Sequence, residues 1–251
     1  MKIQEVVDAL ERFAPLPLQE DYDNAGLQLG LTDAQEVSGA LLCLDVTETV
    51  VDEALAMGCN LIVSHHPLIF RPLKHITNEN YVQRTVAKAI RNNVAVVSMH
   101  TNLDNAELGV NHKIAEKMKL QDIAGGGLTY GRFETPMSAD DFFAMLKRAF
   151  GVQCIMANQP LQRPISKVAI CGGAGSFYLD EAMENGADAF VTGEMHYHEY
   201  FGHEQEIQIA VIGHYQSEQF TSEIFKEIIE KDCPGVKCFI TKTNTNPIVY
   251  K

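Results

Sequence analysis

The sequence of 251 residues lacks tryptophan, and no apolar run in it approaches 18 residues. Such short runs exclude an ordinary membrane-spanning helix. The six cysteines include no CxxC pair, and the first residues show no positively charged segment followed by an apolar one. The missing charged and apolar segments argue against a secretory signal. We therefore expect a cytoplasmic protein whose cysteines are mostly buried, reduced thiols.

Positive charge is also scarce, since 20 Lys and Arg residues face 33 Asp and Glu residues, a formal net charge of −13. A surface this acidic repels phosphate backbones, which argues against nucleic acid as a partner, and it attracts cations. Hydrophobic residues make up 46% of the chain and charged residues 21%. This composition is typical of a globular protein, and the length allows one large domain or two small ones.

Short apolar segments alternate with amphipathic ones along most of the chain. This pattern predicts an α/β fold with at least partly parallel sheets. The stretch that follows the glycines at 125–127 is rich in turn residues and carries no predicted strand. Helices are predicted at 3–13, 47–58, 79–93, 109–118, 138–151, 176–186 and 217–231, and strands at 39–46, 59–66, 94–100, 167–173, 187–193, 207–214 and 236–243.

An internal repeat divides the chain. Residues 52–64 and 180–192, at an offset of 128, are identical at five of thirteen positions. Further along the chain, His100 aligns with His214. A match this short can arise by chance. If it is a duplication, it predicts two similar α/β domains in a three-layer-like arrangement, 1–125 and 126–251, with terminal segments that can cross over between them. Ligands of such sheets bind beyond the carboxyl ends of the strands.

Two adjacent histidines, His65 and His66, end a predicted apolar strand and precede Pro67. Successive side chains of a strand point to opposite faces, but at a strand end the chain turns and both rings can reach one cleft. A lone histidine is more often a satisfied core or surface residue. A pair at this position favours a transition-metal site.

Three further residues follow strands in the same way. Asp104 lies in HTNLDN, His214 ends a strand, and Glu218 comes four residues later at the start of the last predicted helix. Taken singly, Asp104 is better explained as a turn or cap residue. Glu218 alone is explained by the favourable charge at a helix N-terminus, which is compatible with metal binding.

The three histidines and two carboxylates together exceed the needs of one tetrahedral zinc with an open position. They suit two divalent ions about 3.5–4 Å apart that share a bridging carboxylate. Zn, Fe, Mn, Co or Ni would all accept this donor set. The chemistry of such a pair is metal-assisted hydrolysis, because the ions activate water and polarise the substrate.

A second polar cluster, GEMHYHEY at 193–200, supplies Glu194 and His196 as candidate catalytic residues that move protons. In the repeat alignment Gly193 and Glu194 fall where His65 and His66 lie. A polar loop after a strand explains the cluster about as well. The turn CGGAGS at 171–176 could present backbone N–H groups to a phosphate, although a tight turn is at least as good an explanation.

At these motifs the chain resembles the Nif-three-like family, whose members are described as GTP cyclohydrolase 1 type 2 homologues. The resemblance runs through the whole chain in order: DNAGLQLG (23–30), SHHPLIF (64–70), HTNLDNAELGVN (100–111), CGGAGS (171–176), GADAFVTGEMHYHE (186–199) and GHYQSE (213–218). Tyr22 departs from the tryptophan that the family often has there.

The resemblance implies two related α/β domains without the inserted middle domain of longer relatives. It also implies a toroidal homohexamer and a dinuclear metal site held by His65, His66, Asp104, His214 and Glu218. The expected function is a metal-dependent hydrolase of a small nucleotide-like or phosphorylated substrate that the sequence does not identify. The alternative is a non-catalytic protein that binds or delivers metal, or an interaction scaffold.

Overall fold

The computed structural model describes residues 1–30, 34–249 and 251, which fall into two compact units. The first comprises Met1–Leu103 and Thr221–Lys251, and the second comprises Asp104–Phe220. These bounds differ from 1–125 and 126–251. The C-terminal segment returns because its strand pairs with a strand of the first unit, and residues 121–125 pair with a strand of the second.

Regular elements follow one another along the described chain as the alternation predicts. The helices are α1 (Ile3–Phe13), α2 (Glu48–Ala56), α3 (Tyr81–Arg91), α4 (Thr101–Asp104), α5 (Val110–Lys117), α6 (Ala139–Phe150), α7 (Leu179–Glu184), α8 (His214–Glu218) and α9 (Thr221–Asp232). The strands are β1 (Gly26–Leu29), β2 (Ala40–Cys43), β3 (Leu61–Ser64), β4 (Ala95–Ser98), β5 (Gln121–Gly125), β6 (Thr129–Met137), β7 (Met156–Ala157), β8 (Ile165–Cys171), β9 (Ala189–Thr192), β10 (Gln208–Val211) and β11 (Cys238–Ile240).

The first unit is a three-layer domain around a five-stranded sheet of order β1-β4-β3-β2-β11. All its strands are parallel except β1 at one edge. Leu41 and Ile62 pack with α2 and α3 in one core. Leu42 and Val63, which alternate with them, are also fully buried and so face the other side. Helices α1 and α9 pack on each other and against the sheet there, so both faces are covered.

The second unit contains a six-stranded sheet of order β5-β6-β8-β9-β10-β7. Its central strands β8, β9 and β10 are parallel, and the remaining pairings are antiparallel. Phe190 of β9 lies in the core that α7 covers, and α5 packs against β6 and β8. The predicted α/β fold with two similar domains is confirmed.

The strand registers repeat between the two sheets. Cys43 pairs with Ser64, and their counterparts at an offset of 128, Cys171 and Thr192, pair in the same way. The third strand corrects the sequence alignment by one residue. Ser98 pairs with Ser64 as Val211 pairs with Thr192, so His214 corresponds to Thr101 and not to His100. Helices α4 and α8 begin at these equivalent positions.

Two predictions of local structure are wrong. The stretch after 125–127 contains β6, a nine-residue strand whose alternation is interrupted by Gly131 and Pro136 and whose second half is mostly exposed. The predicted last helix at 217–231 is two helices, α8 and α9, and His214 opens the first of them instead of ending a strand. As a result His214 and Glu218 lie one turn apart on α8.

No helix within the described ranges combines the length and apolar character needed to cross a bilayer. All six cysteines are free, and four of them are buried, as expected of structural thiols. Cys154 is exposed.

One carboxylate fixes the C-terminal segment to the first unit. Glu53 of α2 accepts hydrogen bonds from the hydroxyls of Thr241 and Thr243 and from the backbone N–H groups of Lys242 and Thr243. Burial tends to raise the pKa of Glu53, but these hydrogen bonds outweigh it, and the pKa is lower than that of a free glutamate.

We expect Glu53→Gln to lower the free energy of unfolding at pH 7 by about 1–2 kcal/mol, because an amide cannot accept all of these bonds. Since the folded-state pKa is depressed, the carboxylate stabilises the fold above pH 4.5 and loses this effect as the pH falls through the folded value. Urea unfolding at several pH values measures the free energy of unfolding of both proteins. The difference between Glu53→Gln and the wild type should disappear in acid. Glu107→Gln, at an exposed position, is the control. A difference in the free energy of unfolding that does not change with pH would contradict this role of Glu53.

Candidate metal centre

His65 and His66 follow directly after β3, as predicted, and their rings lie close together. The ring centroids are 4.9 Å apart, and His65 is fully buried. Strand β3 is central in its sheet, so the pair projects from the carboxyl end of a strand with neighbours on both sides.

A third imidazole, His100, completes this group in the first unit. Its ring centroid lies 5.2 Å from that of His65 and 5.5 Å from that of His66. One nitrogen from each of the three rings lies within 4.8 Å of the others, close enough to hold one ion. The predicted ligand set omits His100. Its signal was its place after the next parallel strand, at the start of the HTNLD motif.

Each of these rings is oriented by an acceptor at Nδ1. His65 donates to the backbone carbonyl of Met99 (2.8 Å), and His66 donates to Asp45 Oδ1 (2.7 Å). The other oxygen of Asp45 accepts the Thr245 hydroxyl at 2.6 Å. Because a carbonyl or carboxylate oxygen can only accept, Nδ1 carries the proton and Nε2 carries the lone pair that a metal requires.

His100 is held in the same manner by Asp23, from the DNAGLQLG motif. Its Nδ1 lies 2.7 Å from Asp23 Oδ1, and Asp23 also accepts the backbone N–H and hydroxyl of Thr101. Burial alone would raise the pKa of Asp23, but the hydrogen bonds from His100 and Thr101 outweigh it and lower the pKa to about 2. Asp23 is therefore a carboxylate over the whole physiological range, a permanent acceptor for His100.

The second unit brings His214 together with two carboxylates. Its Nε2 lies 3.0 Å from Glu218 Oε2 on the same turn of α8, and its Nδ1 lies 3.0 Å from Glu194 Oε1. The Glu218 side chain is buried, whereas that of Glu194 is 54% exposed. Glu194 thus touches a predicted ligand while remaining open to solvent.

Asp104, the last residue of α4, belongs to the same unit and lies near Glu218. Burial raises the pKa of the Cys171 thiol, and the charges of Asp104 and Glu218 raise it further. Both carboxylates are therefore close to this one buried side chain. Two carboxylates and an imidazole form the donor group of the second unit.

Two glycines let α8 approach the strand ends of this unit. A Cβ at Gly173 would lie 2.3 Å from Glu218 Oε1, and a Cβ at Gly193 would lie 2.8 Å from Ser217 Oγ. Gly173 N–H donates to Ser217 Oγ (3.0 Å), and Gly193 N–H donates to the Gly173 carbonyl (2.9 Å). The glycine-rich turn is thus shaped by the helix that carries His214 and Glu218.

This packing decides between the two explanations of CGGAGS. The N–H groups of Gly172, Gly173 and Gly175 donate to the side chains of Asn111, Ser217 and Thr192. Those donors are satisfied within the protein, so the turn has a structural role and these groups are not a phosphate cradle.

His196 follows Glu194 by two residues in the same polar motif. Its side chain is exposed, and its backbone N–H donates to Glu199 Oε2 at 2.6 Å. Within the part of the chain that the structure describes, no hydrogen bond links the His196 ring to Glu194 or His214.

Imidazole nitrogens and carboxylate oxygens make up both donor groups. This chemistry fits divalent zinc, iron, manganese, cobalt or nickel. The oriented rings add the outer hydrogen bonds that metal-binding histidines usually make. The residues present could therefore hold metal.

The family model described as Duf34/NIF3 (NGG1p interacting factor 3) matches residues 1–247. The chain belongs to this family. A Clostridium acetobutylicum protein named GTP cyclohydrolase 1 type 2 homolog is 30% identical over 100% of this chain and 99% of its own length. A Lactococcus lactis protein of the same name is 33% identical over 98% of both chains.

Solved structures agree with this assignment. The crystal structure of Staphylococcus aureus protein SA1388 superposes with a TM-score of 0.93 at 25% identity, over 100% of this chain and 99% of that one. The Bacillus cereus protein related to NIF3 gives a TM-score of 0.90 at 23% identity, over 100% and 99%, and supports the fold. The alignment with a Staphylococcus epidermidis relative is 369 positions long and covers 100% of both proteins. That relative therefore has an insertion that this chain lacks.

We expect Gly173→Ala to disturb the second donor group. The new methyl group would overlap Glu218 Oε1, and the residue has a φ of +58°, which disfavours any Cβ. Gly186→Ala is the matched control, because Gly186 has a φ of +68° and open space around its Cβ position. Both variants should lose about 1 kcal/mol of stability from the backbone. Only Gly173→Ala should also lose bound metal, measured by elemental analysis after dialysis. Equal metal content in the two variants would contradict the role of the turn.

Asp45→Ala should weaken metal binding about 10- to 100-fold, because His66 loses the acceptor that fixes its ring and tautomer. Competition with a chromogenic chelator measures the affinity. Asp52→Ala removes a carboxylate of the same unit that pairs with Lys88 on the surface, and it should leave the affinity unchanged. If both variants bind as the wild type does, Asp45 does not position His66 for a metal.

Proposed function

We propose that this protein binds two divalent metal ions per chain in one dinuclear centre. The ligands are His65, His66, Asp104, His214 and Glu218, and His100 adds a further imidazole beside the first two. The observation that carries the proposal is the group of three histidines, each with Nδ1 hydrogen-bonded to a fixed acceptor. Its complement is the acidic group around His214.

We further propose that the centre catalyses hydrolysis of a small nucleotide-like or phosphorylated substrate. Relatives named GTP cyclohydrolase 1 type 2 homolog support this choice of substrate class. Bound metal would act as a Lewis acid that lowers the pKa of water. In this proposal Glu194 accepts and returns a proton, and its exposed carboxylate, which contacts His214, supports that role. His196, two residues after Glu194, is a second proton carrier in this proposal.

The proposed assembly is a toroidal homohexamer in the cytoplasm. It rests on resemblance to the family alone, and light scattering on the purified full chain measures it.

Metal content tests the centre. Protein purified without chelator or nickel affinity resin should contain about two metal ions per chain, and His65→Ala and Glu218→Gln should each contain clearly fewer. His75→Ala, an exposed histidine paired with Glu79, is the control. A metal content well below one ion per chain, even after incubation with zinc, iron and manganese, would overturn the proposal.

Measurement of substrate turnover tests the proposed hydrolase activity. Metal-loaded protein should hydrolyse at least one member of a nucleotide panel that includes GTP. Glu194→Gln should reduce kcat about 100-fold, the usual size of a proton-transfer contribution, without reducing metal content. Full metal content without turnover on any substrate would instead favour a metal-binding, metal-delivery or scaffold protein.

A further inference from the structure

The second unit contains a cavity of about 760 Å³ that the proposed metal centre does not use. One wall is the segment 155–160, which includes the edge strand β7, and the other is the segment 195–204. Met195, the first residue of the second wall, follows Glu194 directly. The volume is within the range of sites for small organic molecules.

Aromatic rings dominate one side of this cavity. Tyr197, Tyr200 and Phe201 come from one helical turn and the residue that follows it. Tyr197 and Phe201 meet edge to face with ring centroids 5.4 Å apart, and they are 73% and 57% exposed. Large aromatic side chains this exposed and this clustered mark a binding surface more often than a solvated one.

Each of the two walls also carries a methionine. Met156 projects from β7 and is 56% exposed, and Met195 is partly buried. The side-chain amide of Asn158, which also lines the cavity, forms its hydrogen bonds within the protein. Its Nδ2 donates to the Ile207 carbonyl, and its Oδ1 accepts the Ile209 N–H. The Asn158 amide is therefore engaged within the protein and adds no hydrogen bond to a ligand.

The charge of the lining is of one sign. Glu204 is its carboxylate, and the lining residues, all within the described chain, include no lysine, arginine or histidine. The net charge of −13 adds a field of the same sign. The lining therefore offers a phosphate or carboxylate ligand no cationic side chain, and it offers a cation aromatic rings and a carboxylate together.

We propose that this cavity binds a small organic cation, an ammonium group that carries apolar substituents. The ring faces of Tyr197 and Phe201 contact the positive group, Glu204 neutralises it, and the methionines contact its apolar substituents. The site does not depend on bound metal.

The test pairs a cation with its neutral isostere. Choline and 3,3-dimethylbutan-1-ol are titrated into the full-length chain that carries ¹³C-methyl methionine, with and without chelator. Choline should shift the methyl signals of Met156 and Met195, assigned through Met156→Leu and Met195→Leu, and bind about tenfold more tightly than the alcohol. Chelation should not change this result, so failure of the metal centre and failure of this site are distinguishable.

Variants locate the contacts. Tyr197→Leu and Glu204→Gln change exposed side chains and should each weaken choline binding about three- to tenfold while the melting temperature stays the same. Tyr81→Leu, an exposed tyrosine of the first unit, should have no effect.

Three outcomes would overturn the proposal. Equal affinity for the two probes would mean a merely apolar cavity. Choline binding that survives Tyr197→Leu and Glu204→Gln would mean general attraction to an acidic surface. Self-association that protects the same methyl groups would mean that a second copy of the chain covers this face.

Discussion

A neutral imidazole has one N–H and one lone pair, so it binds a metal only if the proton is kept on the other nitrogen. The candidate centre depends on this constraint. His65, His66 and His100 each donate Nδ1–H to an oxygen that cannot donate in return. A backbone carbonyl, Asp45 and Asp23 thus set three tautomers.

The strand ends of the two sheets deliver these residues. His65 and His66 follow β3, His100 follows β4, and in the second unit Glu194 and His214 follow β9 and β10. Parallel neighbouring strands end at the same edge, so residues distant in sequence meet there without any long loop. The identical registers around Cys43 and Cys171 explain why both units present their polar groups at equivalent edges.

Sequence reasoning reached the strand-end histidines and carboxylates because their signal is local. The apolar runs that precede His65 and His214 identify a strand end, and the polar residue after it is unusual. The orienting groups have no such signal. Asp23 lies 77 residues from His100, so only the folded chain pairs them. The sequence alignment pairs His100 with His214, and the predicted ligand set omits His100. The strand register moves that alignment by one residue. Strand β6 was missed because tertiary pairing, not its own pattern, fixes it.

The two halves use equivalent positions in opposite ways. At the offset of 128, Asp45 corresponds to Gly173, His65 to Gly193 and His66 to Glu194. In the first unit these positions hold a pair of candidate ligands and the carboxylate that orients His66. In the second, glycine at two of them leaves space that Glu218 and Ser217 of α8 occupy. The polar side chains that the second unit lacks at these strand ends are thus replaced by side chains of α8, which packs against the strand ends. Two similar domains can thus present different candidate donors at equivalent sheet edges: histidines at the strand ends of one half, and an imidazole and a carboxylate from α8 in the other.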